Sequence, residues 1–231
     1  MYFLDIEDIS ALLITIQLAS ITTIFLLLIG IPTAWWLAQS KSKLKYPIQT
    51  IITLPLVLPP TVLGFYLLIF LNAQGVLSPF YQFFDIPAFA FSFSGLVIGS
   101  MIYSLPFVVQ PLYVAFSSIS PLHLELASSL GAKPLDRFFS LILPLAKNGI
   151  ITAIVLGFAH TIGEFGVVLM IGGNIPDETR VLSIAIYDHV ESLEYAKAHW
   201  LSAILLVFSL ITLMVVFIIN PMKTTSKEQH K

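Results

Sequence analysis

Cysteine is missing altogether from this chain of 231 residues, which excludes disulfides, zinc–thiolate sites and thiol catalysis. Charge is scarce as well. Charged residues make up 10% of the sequence, against about 25% in a soluble domain, too few to cover a water-facing surface. No Lys or Arg precedes Lys41, so the opening MYFLDIEDIS lacks the basic start of a cleavable signal peptide, and the first apolar stretch is expected to stay as a spanning helix. No G-x-x-x-x-G-K-[ST] run is present, so the chain has no loop to cradle ATP phosphates. H-E-x-x-H and G-x-S-x-G are absent too. His123, His189, His199 and His230 are scattered, and no metal site is expected from them. The net charge of −2 and the lack of any basic cluster give no footprint for nucleic acid.

What the chain has in abundance is apolar length. It is 57% hydrophobic with a mean hydropathy of +0.93, the composition of an all-α integral membrane protein. Crossing a core of about 30 Å takes about 20 residues. Five segments reach that length, at about 9–37, 48–71, 93–116, 147–171 and 200–219. Pro32 is a possible bend in the first, with Trp35 and Trp36 at an interfacial level. The second contains Pro55, Pro59 and Pro60. The aromatic connector 72–90 is expected in the interface. Gly95 and Gly99 form a small-xxx-small pair suited to close helix contact in the third. Residues 181–195 look amphipathic and too short to cross, so a re-entrant or interfacial helix is expected there.

Lysine and arginine fix the orientation. With the N-terminus outside, the inner connectors hold Lys41, Lys43, Lys45, Lys133, Arg137, Lys147, Lys223, Lys227 and Lys231, and the outer ones only Arg180 and Lys197, which together account for all 11. The C-terminus is then inside, and the polar break 117–146 faces the cytoplasm. Within that break, Ser120 can N-cap a helix with Pro121 at its first position, and Gly131 can end it in a left-handed conformation. Leu122, Leu126 and Leu130 recur at i, i+4 and i+8 as one apolar stripe. Glu125 lies in the first half, towards the positive end of the helix dipole. Pro134 is expected to open a second short helix that Pro144 stops. On pattern alone this is either a docking knob or an ordinary connector.

Two features inside the spans stand out. Glu164 is the one carboxylate in a span, with an insertion cost of about 2.5–3.5 kcal/mol, so it should face protein or water. His160, one turn earlier, is its expected partner, and Gly163 and Gly166 allow a break beside it. Glu164 is either a gate or interface residue or a structural carboxylate hydrogen-bonded within the bundle. A direct ligand role for an anion is not expected, since like charges repel. Pro55, Pro59 and Pro60 free backbone carbonyls, either to line a cavity or only to kink a packed helix. The interiors of the spans hold no Lys or Arg, so an anion would meet hydroxyls and backbone amides.

Glu125, Ala127, Gly131, Leu141, Leu143 and Pro144 fall on the E-A-A-x-x-x-G-x(9)-I-x-L-P pattern, with Leu126 and Leu141 replacing its first Ala and its Ile. In this the chain resembles bacterial ABC importer permeases, whose equivalent loop is a coupling helix seated in a cleft of the ATPase subunit. LPLVLPPTVLGFYLL (54–68) and GEFGVVLMIGGNIPDETR (163–180) are similar to segments that mark molybdate permeases of the ModB type, and the resemblance covers essentially the whole chain. Sulfate and thiosulfate permeases are related and generally longer.

The resemblance implies one transmembrane permease domain over 1–231, a type I importer bundle in the bacterial inner membrane, without enzymatic activity or cofactor. ATP would be bound by a partner subunit. The implied partners are an ABC ATPase, a periplasmic molybdate-binding protein, a second copy of the chain, and lipid. The implied coupling set is Leu122, Glu125, Leu126, Ala127, Gly131, Leu141, Leu143 and Pro144, within 120–144. The pathway or gate set is Pro55, Pro59, Pro60, Gly163, Glu164 and Gly166. Other substrates of that class are tungstate, sulfate and thiosulfate. An ATP-independent transporter would need paired ionisable groups or a repeat, and an intramembrane enzyme a nucleophile with its base.

Overall fold

The structure, a computed structural model, describes residues 5–219. Lys223, Lys227, Lys231 and His230 lie outside them. Every element is helical: α1 (Ile6–Gln39), α2 (Lys45–Thr53), α3 (Pro60–Leu71), α4 (Ser78–Phe84), α5 (Phe93–Ser117), α6 (Pro121–Ser129), α7 (Pro134–Arg137), α8 (Leu143–Leu145), α9 (Lys147–Gly163), α10 (Gly166–Gly172), α11 (Leu182–Glu191) and α12 (Tyr195–Ile219).

Three of these helices, α1, α5 and α12, are long and apolar enough to cross a membrane alone, and the number reaches five if each of two bent pairs is one span. The expected second span, 48–71, is therefore not one rod. It runs as α2 and a 3₁₀ turn (Leu54–Leu56), then bends by 110° into α3. Proline explains the bend, because Pro55, Pro59 and Pro60 supply no N–H and crowd the preceding turn. The expected fourth span, 147–171, ends as a helix at Gly163. The chain then passes through the extended Glu164 and resumes as α10. Pro32, by contrast, leaves α1 unbroken.

The bundle centres on α1, α5 and α9. On α1, residues Ala11, Ile14, Leu18, Thr22, Leu26, Gly30, Ala34 and Leu37 are buried, a stripe of helical period turned onto α5. Lipid is as apolar as leucine, so such helices gain from close fit rather than from hiding from water. The pair foreseen in α5 shows this. A Cβ at Gly99 would sit 2.5 Å from Ile171 Cδ1 on α10. The inner core joins Leu26, Leu37, Val108, Leu112, Phe116 and Ile142. The opposite end joins Ile14, Leu18, Leu96, Val168, Val181 and Ile184. Only Ala198, Leu201 and Thr212 of α12 are buried, so most of that helix faces outward.

Candidate functional site

The polar break forms the structure its caps predict, with one difference. Ser120 Oγ accepts a hydrogen bond from the Leu122 N–H at 3.3 Å, and Gly131 takes φ +81°. Beyond it, α7 is one turn long and passes into a π-helical turn at Phe138–Ile142, then into α8, and Pro144 lies inside the continuing helical path. Proline stops a helix by denying an N–H to the ladder and by clashing with the previous turn. Pro144 also denies its N–H to the ladder, but the π-helical turn before it accommodates the ring and the helix runs one residue further, to Leu145. The turn from 134–145 into α9 is instead a 72° bend.

No residue of α6 is buried. Leu122 is 59% exposed, Leu126 55% and Leu130 87%, so the stripe has little cover among the described residues. Glu125 is exposed beside it and Ala127 is half-buried. Leu141 and Leu143 are half-buried, Leu143 against the inner core, while Pro144 is exposed.

The two chain breaks meet at a cavity of about 560 Å³ lined by Pro60, Thr61, Tyr103, His160, Gly163, Glu164 and Gly166 among others. Four of the six predicted pathway residues are therefore together. Pro55, buried in the 3₁₀ turn, and Pro59 are not in the lining. α3 and α10 seal one wall by close fit. A Cβ on Gly64 would lie 2.7 Å from Met170 Cβ, and one on Gly166 would lie 2.7 Å from Pro60 Cβ.

Glu164 is 4% exposed, and among the described residues its carboxylate has no ion-pair partner, only the Ser100 hydroxyl of α5 within its reach and short of good hydrogen-bond geometry. The expected pair with His160 does not form. His160 Nδ1 is instead 2.8 Å from Ser104 Oγ on α5, and its ring stacks on Phe107 at 3.8 Å. The helix ends at Gly163, so the i, i+4 geometry that would align 160 with 164 is lost. The Glu164 carbonyl, however, is held by the Ser183 hydroxyl of α11.

Sequence reasoning missed a network at the opposite end from α6. Arg180 reaches Glu7 at 2.7 Å and Asp188 at 2.5 Å. His189 meets Asp8 at 2.7 Å and Glu194 at 3.0 Å. Lys197 bonds Asp5 at 2.7 Å and Glu194 at 2.8 Å. The Lys197 ammonium, with help from His189, holds the Glu194 carboxyl below its ordinary value. These pairs join the start of α1 to α11 and α12 and border a cavity of about 790 Å³. One available signal was that Arg180 and Lys197 stand alone as basic residues among many outer acids.

Residues 27–222 match the family described as "Binding-protein-dependent transport system inner membrane component". The chain is 53% identical to "Molybdenum transport system permease protein ModB" of Azotobacter vinelandii, over 91% of this chain and 93% of that one. It is 34% identical to the protein of the same name in Haemophilus influenzae, over 80% and 81%. Among solved structures it is similar to a bacterial ABC transporter involved in the import of the acidic polysaccharide alginate. That match has a TM-score of 0.76 at 19% identity and covers 96% of this chain and 82% of the other.

Proposed function

Because the chain belongs to the binding-protein-dependent transport system inner membrane components, and within them to the permeases of the ModB type, we propose that two copies of it form the pathway for molybdate. The chain is a multi-pass inner-membrane permease subunit of an ATP-driven importer. It works with an ATPase subunit and a periplasmic binding protein and is not itself an enzyme. The molybdate specificity of that binding protein and the pairing of two copies are part of the proposal.

The observation that carries this reading is α6, a helix with an exposed leucine stripe and no buried residue. In the proposal it docks into the ATPase through Leu122, Glu125, Leu126 and Ala127. Gly131 shapes its end, and Leu141, Leu143 and Pro144 brace it from behind. ATP binding draws the two knobs together and turns the cavity outward, and hydrolysis restores the inward state. The gate lies at the broken spans, with Pro60, Gly163, Glu164 and Gly166 around the cavity and Pro55 and Pro59 setting the bend before it. A conformational change needs an energy difference between states. Glu164, buried here without an ion-pair partner, supplies one if it gains a stronger partner in the other state. With no fixed cation inside the spans, the anion is held weakly, as passage requires.

The test is uptake of labelled molybdate by cells carrying this permease with its ATPase and binding protein. Unlabelled molybdate and tungstate should compete, and sulfate and thiosulfate at equal concentration should not. Competition by sulfate without uptake of molybdate would overturn the substrate, and uptake that survives ATP depletion would overturn the ATP-driven reading.

A further inference from the structure

No residue of α6 is buried, and apart from its Ser120 cap its side-chain hydrogen bonds to the rest of the described residues come from one residue, Arg137. Arg137 Nη1 donates to Ser128 Oγ and lies 3.5 Å from the Leu124 carbonyl, both on α6. The next residue, Phe138, opens the π-helical turn and packs edge-on against Trp35 of α1, with ring centroids 6.0 Å apart. Trp35 in turn meets Phe116 of α5 at 5.6 Å. Leu124 is the residue of α6 that packs partly against the same inner core. Arg137 and Phe138, neighbours in sequence, therefore join the exposed helix to the packed rings of α1 and α5. π-helical turns are also rare and frequently mark functional positions.

We propose that Arg137 is the positioning residue that couples α6 to the bundle, with Phe138 and Trp35 passing its displacement to α1 and α5. The proposal rests on the docking of α6 to an ATPase. Arg137 holds α6 from behind, on the side away from the leucine stripe, so it governs what happens after docking rather than docking itself. A guanidinium suits this role because Nη1 carries two N–H groups in fixed, planar directions, one for the hydroxyl and one for the carbonyl, and lysine offers only a point charge on a flexible stem.

The experiment uses the complete transporter, permease with ATPase and binding protein, in liposomes. Three quantities are read: ATPase co-purified per permease, ATP hydrolysis with and without loaded binding protein, and anion transported per ATP hydrolysed. Arg137→Ala should leave co-purification and unstimulated hydrolysis near wild type, and should lower transport per ATP by about tenfold, within the range of single-residue effects on coupling. Arg137→Lys should recover part of the loss. Phe138→Leu should reproduce the Ala defect in weaker form.

Unchanged transport per ATP in Arg137→Ala overturns the proposal. So does loss of ATPase co-purification, which would make Arg137 a docking contact. Should Arg137→Ala fail to insert, Arg137→Lys and Phe138→Leu decide, and wild-type coupling in both overturns it. A wild-type permease that neither binds the ATPase nor transports would refute the docking reading instead.

Discussion

The two ends of the bundle are built on opposite principles. At one end Arg180, His189 and Lys197 lie among Asp5, Glu7, Asp8, Asp188 and Glu194, and each of the three has two carboxylate partners. Asp8 is 2% exposed and Arg180 7%, so this end is cross-tied through the interior. At the other end α6 buries nothing and hangs from Arg137 and Leu124. Charge pairs fix positions because each removed partner strands a buried charge. An exposed leucine stripe leaves its helix free for another surface. The difference separates an end tied within the chain from an end left open to contact.

The largest effect should come from breaking the tied end. Asp8→Ala leaves His189 buried with one carboxylate partner fewer, and should cost about 3 kcal/mol. Thermal unfolding of the purified protein would read this, and wild-type stability would mean the network is not structural. Next is Gly131→Val. With φ at +81° and nothing within 4 Å of an added Cβ, the cost is conformational alone, about 1–2 kcal/mol. It should fall on α6, lowering ATPase association more than the global melting temperature.

A smaller effect is expected from acid. Because the Glu194 carboxyl is held below its ordinary value of 4.5 by Lys197 and His189, its contribution is fully present above that pH. It is lost as pH falls through the depressed value. Glu194→Gln should therefore flatten that part of a melting profile recorded downward from neutral pH, and an unaltered profile would refute the assignment. Least of all should Leu126→Ser matter to the isolated protein. At 55% exposed it should change stability by no more than about 0.5 kcal/mol while reducing ATPase co-purification. A large loss of stability would mean α6 is less free than its surface implies.

What was legible in advance was local or periodic. Ser120 and Gly131 mark their helix ends through their own backbone chemistry, and Leu122, Leu126 and Leu130 share a face by helical period alone. Gly99 announced a close contact without saying with what. The misreadings came where local rules compete with distant contacts. Pro144 marks the helix end to within one residue, at Leu145, but the π-helical turn before it has no signal in the spacing. His160 was paired with Glu164 by spacing, yet Ser104 and Phe107 of α5 claim its ring. The Asp8–His189 contact spans 181 positions of sequence, and no periodicity carries information over that distance.

The broken spans carry one more consequence, best put in mechanical terms. A helix transmits thrust along its axis through an unbroken hydrogen-bond ladder, and that ladder is interrupted before α3 and again before α10. Neither broken segment can act as a piston from one face of the membrane to the other. α5 stays helical from Phe93 to Ser117, although Pro106 and Pro111 each remove one bond of its ladder, and it touches the Trp35 ring near its last turn and Ile171 near its first. The two broken segments change course beside the cavity, and α5 is the single helix that spans the distance past both.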